Sequence, residues 1–160
     1  MTPIVLLALT AAAATPGPAR ELLGVYGAWG AFRDQGRCYA IARPALATRG
    51  TRNRPFAGVG TFPGRGQRNS LHIRLSRERD RSAGVTLSIG ERRFALVATG
   101  ADAWAPDARS ERAVVAAMRS GRSMSVEAVG RGGRPFADTY RLDGAATAID
   151  AAALACLSRR

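Results

Sequence analysis

Few side chains in this chain of 160 residues belong to the types that perform acid–base, nucleophilic or metal chemistry. The sequence holds one histidine, His72, and two cysteines, Cys38 and Cys156. A zinc site needs three or four ligands, drawn mainly from imidazole and thiolate groups, and a second histidine is missing. A serine hydrolase would have to use His72, and no Gly-x-Ser-x-Gly motif presents a serine to it. We therefore predict neither a catalytic site nor a metal site.

A hydrolase centred on His72 and Asp138 is the least favoured of three functional hypotheses. His72 falls on the polar face of a predicted strand, and one imidazole alone does not specify a catalytic constellation. We therefore predict that His72 is an ordinary exposed strand residue. Asp138 shares one predicted strand face with Phe136 and Tyr140, which favours a buried carboxyl with a structural partner, such as an arginine.

Two glycine-rich stretches, residues 58–66 and 130–133, are the places where a backbone cradle for phosphate could form. A P-loop needs Gly-Lys-Ser/Thr at the start of a helix, and the first stretch has neither that motif nor a helical pattern after it. The second stretch is typical of a hairpin tip. Loop geometry explains the glycines at both places, so we predict no phosphate cradle and no cofactor.

Arginine supplies all 24 basic side chains, and the net charge is +12. Nine arginines and two acidic residues fall within residues 49–81, which gives this segment a net charge of +7. The planar guanidinium group binds carboxylates and phosphates through paired hydrogen bonds. The segment is therefore a candidate anion-binding region, although a merely solvated basic surface is an equal alternative. The candidate anion-binding residues are Arg49, Arg52, Arg54, Arg65, Arg68 and Arg74.

Residues 4–14 form an apolar run that is too short to span a bilayer and matches the central part of a signal peptide. Ala12 and Ala14 give the small-residue cleavage pattern, so we predict a signal peptide over residues 1–14 and a mature chain from Thr15. A buried N-terminal helix is the alternative. No other stretch is long enough to cross a membrane. The predicted location is periplasmic or secreted.

The two cysteines lie near opposite ends of the predicted mature chain. Disulfides persist in oxidising compartments outside the cytoplasm, so the signal peptide favours a Cys38–Cys156 bridge over free thiols. The chain-entropy model credits a loop of this length with about 4.7 kcal/mol of stabilisation. We predict a single β-rich domain over residues 15–160, closed by this disulfide.

Alternating apolar and polar residues predict many short strands, and two helical patterns occur late in the chain. Asp107 or Ser110 can cap the first helix, and Gly121 ends it. Gly90-Glu91 suits a two-residue type II′ hairpin turn. These elements predict a mainly β fold, either an antiparallel β-sandwich or a partly closed sheet, with two short helices. The predicted strands cover residues 26–32, 37–42, 57–62, 70–76, 85–89, 124–128 and 136–142 and one around Phe94 and Leu96; the helices cover about 108–120 and 145–157.

Trp104 lies between a predicted strand and the first helix, where an aromatic side chain usually fills the edge of the core. Trp29 and Trp104 are also the candidates for a second functional hypothesis. In that hypothesis the protein is an envelope chaperone or an inhibitor that acts through apolar surface.

Three groups of short motifs resemble the invasion-associated locus B family. The first is Tyr26-Gly-Ala-Trp29 followed by Gly36-Arg-Cys-Tyr-Ala40 and Pro44. The others are residues 113–121 before a strand and residues 140–148 before the helix that ends near Cys156. The resemblance implies a small, mostly β, exported protein of alphaproteobacterial type. Pathogenic members of that family are associated with entry into host cells, and the family has no established catalytic residues.

The favoured hypothesis is an exported, non-enzymatic protein of the periplasm or cell envelope that binds a partner through the arginine-rich segment. Charge complementarity makes anionic lipid, lipopolysaccharide or an acidic envelope or host protein the expected partner. Nucleic acid is not expected, because the protein is predicted to be exported and only Phe56 and Phe62 lie near the segment for base stacking.

Overall fold

The computed structural model describes residues 20–46 and 53–157, and the predicted signal peptide lies outside these residues. The described part forms ten strands, one 3-10 turn at Pro63–Arg65 and two α-helices. The strands are β1 (Glu21–Tyr26), β2 (Trp29–Asp34), β3 (Arg37–Ala42), β4 (Phe56–Phe62), β5 (Gln67–Arg74), β6 (Val85–Ile89), β7 (Arg92–Thr99), β8 (Asp102–Trp104), β9 (Ser123–Val129) and β10 (Pro135–Arg141); the helices are α1 (Ala108–Ser120) and α2 (Ala145–Leu157).

All ten strands belong to one antiparallel sheet, in the order β1-β2-β3-β4-β5-β8-β7-β6-β9-β10. The sheet curls into a half-barrel, which confirms the mainly β fold in its partly closed form, with the two helices late in the chain. The meander β6-β7-β8 returns to pair with β5, and α1 then carries the chain to β9, which pairs with β6. Helix α2 leads back to the inner face of β1–β4.

Two strand assignments made from the sequence are wrong. The predicted strand over residues 26–32 is instead a hairpin, because Gly27 turns the chain at φ +55° and Tyr26 pairs with Trp29. Residues 102–104, for which the sequence predicts a link between a strand and the first helix, form the strand β8. Three residues are too few to show an alternation pattern, and β8 exists through its pairing with β5 and β7.

The core lies on the inner face of the sheet, where small side chains let α2 approach closely. Ala40 and Ala57 are fully buried on β3 and β4, and α2 contacts both strands. The helix buries Ala145, Ala148, Ile149 and Ala152. Burial of a side chain such as Ile149 contributes roughly 1.5–3 kcal/mol, so a stripe of alanines with one larger residue anchors the helix.

Cys38 on β3 and Cys156 in the last turn of α2 form a disulfide, with their Cα atoms 5.8 Å apart. The predicted pairing is therefore confirmed. The bridge joins positions 118 residues apart and holds the end of α2 against the strand on which it packs.

Helix α1 begins and ends where the sequence predicts. The Asp107 carboxylate accepts a hydrogen bond from the Ser110 backbone N–H at 2.8 Å, as an N-cap does. Gly121 ends the helix in an extended conformation, with φ −79°. A Cβ atom at Gly121 would lie 2.7 Å from Cγ2 of Ile89, so packing rather than a left-handed turn requires the glycine.

Candidate functional site

The face of the sheet opposite the two helices carries a group of aromatic and arginine side chains. We call this face the outer face. In β3, β4 and β5, the residues that alternate with the buried core positions point to it. Its aromatic members on β2–β5 and β8 are Phe32, Tyr39, Phe56, Phe62, His72 and Trp104.

Glycines on the outer face allow two of these rings to lie flat against the sheet. The Phe32 ring covers Gly30, and a Cβ atom on that glycine would lie 2.8 Å from Cε2 of Phe32. The Phe62 ring covers Gly60 in the same way, with a corresponding distance of 2.9 Å. A ring that covers a strand glycine replaces the packing that the glycine lacks. The rings therefore form part of a flat surface.

Arginine side chains lie over these rings in cation–π geometry. The Arg20 guanidinium carbon is 5.6 Å from the ring centroid of Phe32 and 5.8 Å from that of Tyr39. Arg37 also lies over Tyr39, at 5.2 Å, and Arg65 over Phe62, at 5.8 Å. At exposed sites each such contact contributes about 0.5–1 kcal/mol. The rings thus orient guanidinium groups on the outer face.

His72 and Trp104 form a second aromatic group on the same face. The two rings are parallel to within 7°, with centroids 5.4 Å apart, and Phe56 packs edge-on against the imidazole. His72 Nε2 lies 2.8 Å from Oδ1 of Asp102, and Arg74 donates two hydrogen bonds to the same carboxylate. Burial raises the pKa of Asp102, but the hydrogen bonds from Arg74 and His72 outweigh it, so the pKa lies below its ordinary value.

A cleft of about 1270 Å³ opens beside these rings, where β8 stops pairing with β5. The register of β8 with β5 covers only Ile73 and Arg74. Farther along β5, the Leu71 N–H donates to Oε1 of Glu111 on α1, at 2.8 Å. Helix α1 therefore takes the place of β8 beside β5. The cleft lies between the exposed side of α1, the tip of the β4–β5 hairpin and the outer face.

The cleft is strongly basic, with six arginines and two carboxylates among its lining residues. Arg37 pairs with Asp34, and Arg119 pairs with Asp150. The two carboxylates, Asp107 and Glu111, both accept backbone N–H groups. Within residues 20–46 and 53–157, no carboxylate pairs with the other four arginines of the cleft. We call the site the basic cleft, and these four residues are Arg20, Arg65, Arg68 and Arg112.

The six arginines predicted to bind anions have different environments. Arg49 and Arg52 lie outside the described residues, and Arg54 is exposed away from the lining of the cleft. Arg65 and Arg68 line the cleft at the β4–β5 hairpin. Arg74 is engaged in the ion pair with Asp102, so Arg65 and Arg68 are the predicted residues that the structure brings together.

Arg79, which also contributes to the charge of residues 49–81, is engaged in holding a loop. Its guanidinium donates to the carbonyl oxygens of Asp80, Arg81 and Ala83, and to that of Ala98 on β7 at 2.7 Å. These acceptors occupy the face with which an arginine binds anions. The charge of Arg79 therefore serves the fold.

The structure does not bring together the residues of the hydrolase hypothesis. His72 pairs with Asp102 on the outer face, whereas Asp138 is buried and accepts the Ser76 backbone N–H at 2.7 Å. Burial raises the pKa of Asp138 above its ordinary value, against the lowering effect of the hydrogen bond from the Ser76 backbone N–H. The arginine hydrogen-bond partner expected for Asp138 is not present among the described residues.

The two tryptophans differ in exposure. Trp29 is fully buried, and its indole N–H donates to the carbonyl oxygen of Arg141 at 2.9 Å. Trp104 is 38% exposed on the outer face. The prediction that Trp104 fills the edge of the core is therefore wrong, because β8 turns this side chain away from the helices.

Sequence reasoning missed four arginines of the cleft: Arg20, Arg37, Arg112 and Arg119. They lie outside residues 49–81, on β3, on α1 and just before β1, and only the fold brings them to one place. A local signal for the outer face exists in Gly30-Ala-Phe32 and Gly60-Thr-Phe62, since a glycine two positions before an aromatic residue in a strand allows the ring to cover it.

Comparisons of the chain with protein-family models, with curated proteins and with solved structures find no match. The resemblance to the invasion-associated locus B family therefore stays a prediction from short motifs. In the described part of the chain, no three His, Cys, Asp or Glu side chains converge in a way that could hold a metal ion. Neither helix of that part is long and apolar enough to cross a membrane.

Proposed function

We propose that this chain is an exported, non-enzymatic protein of the periplasm or cell envelope that binds an anionic envelope or host component in the basic cleft. The observation that carries the proposal is that most of the arginines in the basic cleft have no ion-pair partner among the described residues. Four arginines of the cleft have no carboxylate partner among the described residues, while both carboxylates are engaged with backbone N–H groups. Such an excess of unpaired cations attracts anions and accelerates their association.

Preorganisation of the guanidinium groups supports binding rather than simple solubility. A freely moving arginine side chain loses conformational entropy when a ligand fixes it. This loss costs about 0.5–1.5 kcal/mol for each immobilised side chain. Arg20 and Arg65 already lie over aromatic rings, so part of this cost is met in the free protein. Arg92, outside the cleft, also lies over a ring, that of Phe94 at 4.9 Å, so the support comes from the concentration of such arginines in one cleft and not from the contact itself.

Export is supported by the apolar segment over residues 4–14 and by the disulfide between Cys38 and Cys156. Disulfides of this kind are rare in the cytoplasm, where thiols are kept reduced. A periplasmic or secreted location would also place the cleft next to lipopolysaccharide, anionic lipid and acidic envelope proteins. The motif resemblance to the invasion-associated locus B family agrees with this location and extends the proposal to a host component.

The experiment compares two double variants that remove equal charge. Arg65→Ser/Arg68→Ser changes the cleft, and Arg92→Ser/Arg93→Ser changes exposed arginines of β7. We expect binding to polyglutamate, lipopolysaccharide or phosphatidylglycerol vesicles at 50 mM NaCl to weaken about tenfold in the first variant only, and to weaken in wild type at 300 mM NaCl. Equal losses in the two variants would show that net charge alone is responsible and would contradict the proposal.

A second candidate function, an envelope chaperone or inhibitor that acts through apolar surface, rests on one observation. Trp104 and Val97 are directly paired across β8 and β7, and they are 38% and 50% exposed. A partner that stays bound equally at low and high salt, and is lost in Val97→Ser, would favour this function over anion binding.

A further inference from the structure

We propose, on the basis of the proposed function, that the ligand of the basic cleft is an acidic oligosaccharide. One sugar ring would stack on Trp104, and the anionic groups of the ligand would bind to Arg65, Arg68 and Arg112. Three chemical features of the cleft carry this inference: an accessible indole, neutral hydrogen-bonding side chains and unpaired guanidinium groups.

Trp104 supplies the stacking surface. His72 covers one face of the indole in a parallel stack, which fixes the orientation of the ring, and 38% of the residue remains exposed. The C–H face of a pyranose ring is apolar and flat, so it can pack on an indole that the protein already holds in place. The other rings of the outer face are less accessible, because arginines lie over Phe32, Tyr39, Phe56 and Phe62.

Neutral polar side chains line the cleft next to the arginines. Gln67, Asn69 and Ser70 lie on β5 at the hairpin tip. Their amide and hydroxyl groups both donate and accept hydrogen bonds, as sugar hydroxyls require. Arg68 lies within the same run and offers paired donors to a carboxylate, sulfate or phosphate group. Alternation of amide and guanidinium groups suits a ligand that carries both hydroxyls and anionic groups.

The size of the cleft favours an oligomer over a small anion. Its volume of about 1270 Å³ exceeds the range of roughly 300–1,000 Å³ typical of sites for small molecules. A single sulfate or phosphate group would leave most of the lining without contacts, whereas a chain of several sugars could reach from Trp104 to the hairpin tip.

An acidic peptide is less favoured, because the backbone that would receive it is already occupied. Peptides bind to sheets by pairing with a free strand edge, and the free edge of β5 lies in this cleft. Its Leu71 N–H already donates to the Glu111 carboxylate of α1. That carboxylate would also repel an incoming acidic chain at the edge.

A lipid membrane is less favoured because of the orientation of the rings. Interfacial anchors insert apolar groups about 5–10 Å into the membrane. The outer-face rings of Phe32 and Phe62 instead lie against the sheet, over Gly30 and Gly60. Within the described residues, these rings form part of a surface and do not project from a loop tip.

The test measures binding of the full chain to five probes by titration calorimetry, at 50 mM NaCl. The acidic sugars are tetragalacturonate and a heparin tetrasaccharide. The acidic controls are an end-blocked tetraglutamate peptide and phosphatidylglycerol vesicles. We expect at least one acidic sugar to bind about tenfold more tightly than tetraglutamate, and neutral galactotetraose to show no measurable binding. We expect Trp104→Ala to weaken the sugar about threefold to tenfold, and Trp104→Phe to weaken it less.

The outcomes separate this inference from the proposed function. If tetraglutamate or the vesicles bind as tightly as both acidic sugars, or if Trp104→Ala binds the sugars like wild type, the oligosaccharide inference is overturned and anion binding stands. If no acidic probe binds, both are overturned. Circular dichroism of the Trp104 variants checks their fold, and Arg92→Ser/Arg93→Ser is the charge control that should retain sugar binding.

Discussion

The imidazole of His72 lies parallel to the indole of Trp104, although the two residues are 32 positions apart in the sequence. The contact exists because β8, a strand of only three residues, pairs with the end of β5 and brings Trp104 alongside His72. Asp102, two positions before Trp104, holds the imidazole through a hydrogen bond of 2.8 Å. The exposed part of Trp104 is thus oriented by a neighbour that is itself fixed by a carboxylate.

Removal of the His72 ring should expose the second face of Trp104. We expect His72→Ala to increase collisional quenching of tryptophan fluorescence by acrylamide, while the fully buried Trp29 contributes equally in both proteins. Ser70→Ala, a change on the same strand, is the matched control and should leave quenching unaltered. Equal quenching in wild type and His72→Ala would show that the stack does not protect the indole.

Arg79 and Arg81 lie two positions apart, and their replacement should have very different consequences. Arg79→Ala removes four hydrogen bonds from a charged donor to loop and β7 carbonyl groups. Hydrogen bonds to charged groups contribute about 1.5–3 kcal/mol each. The four bonds here come from one guanidinium group, so their contributions do not add in full. We therefore expect Arg79→Ala to lower the free energy of unfolding by about 3 kcal/mol. The exposed Arg81→Ala should change it by less than about 0.5 kcal/mol. Urea denaturation followed by circular dichroism measures both, and similar small losses would contradict the structural role of Arg79.

Gly144 and Gly132 both have positive φ. Comparison of their alanine variants distinguishes the cost of backbone strain from the cost of a steric clash. A Cβ atom at Gly144 would lie 1.9 Å from the carbonyl oxygen of Tyr26, whereas one at Gly132 would meet nothing within 4 Å. We expect Gly132→Ala to cost about 1–2 kcal/mol, the cost of the left-handed conformation alone. Gly144→Ala should cost about 3 kcal/mol or more. Thermal and urea unfolding measure the difference, and equal costs would mean that the β1–β2 turn moves away easily.

The buried carboxyl of Asp138 should make stability fall as pH rises. Burial raises its pKa in the folded protein above the ordinary value of 3.8. Below pH 3.8 the carboxyl is protonated in both the folded and the unfolded protein, and its contribution to the free energy of unfolding is fully present. As the pH rises, the unfolded state releases its proton first, so the folded state holds more protons and the free energy of unfolding decreases.

Asp138→Asn tests this pH dependence. The groups near this carboxyl in the structure are Ser76, Tyr140 and Arg77, and Asp138 is the one carboxyl in this group. We expect the wild-type protein to lose stability relative to Asp138→Asn between pH 4 and pH 8. The control is Asp150→Asn: the Arg119 hydrogen bond lowers the pKa of Asp150, so the contribution of Asp150 is lost only at pH values below this range and should stay nearly constant across it. A difference between wild type and Asp138→Asn that does not change with pH would refute the assignment.

The disulfide should contribute a large part of the stability. It closes a loop of 118 positions, for which the chain-entropy model gives about 4–5 kcal/mol. We expect Cys38→Ser/Cys156→Ser to lower the free energy of unfolding by about 4 kcal/mol. Wild type measured with dithiothreitol is the control and should match the variant. A loss below about 1 kcal/mol would show that α2 is held by its buried alanines and Ile149 without the bridge.

Local signals predicted most of the elements and few of the contacts at the site. The alternation in β6 and β9 and the cap and end of α1 depend on neighbouring residues, so they can be read without a fold. Gly90 likewise has positive φ, and Glu91 does not, as the predicted type II′ turn requires. The sequence pattern does not predict the hairpin at Gly27, because apolar and aromatic residues continue on both sides of Gly27 and Ala28 and favour a single strand through them.

The sequence by itself determined the charge of the chain, the pairing of its only two cysteines, the two helices and the mainly β fold. These follow from composition and from short-range periodicity. Only the tertiary structure decided which arginines remain unpaired and which aromatic rings are accessible. Arg65, Arg74 and Arg79 look alike in the sequence, yet one lies over Phe62, one binds Asp102 and one holds a loop. The reason is physical: the partner of a long charged side chain is set by strand register and helix position, which bring together residues that are far apart in the chain.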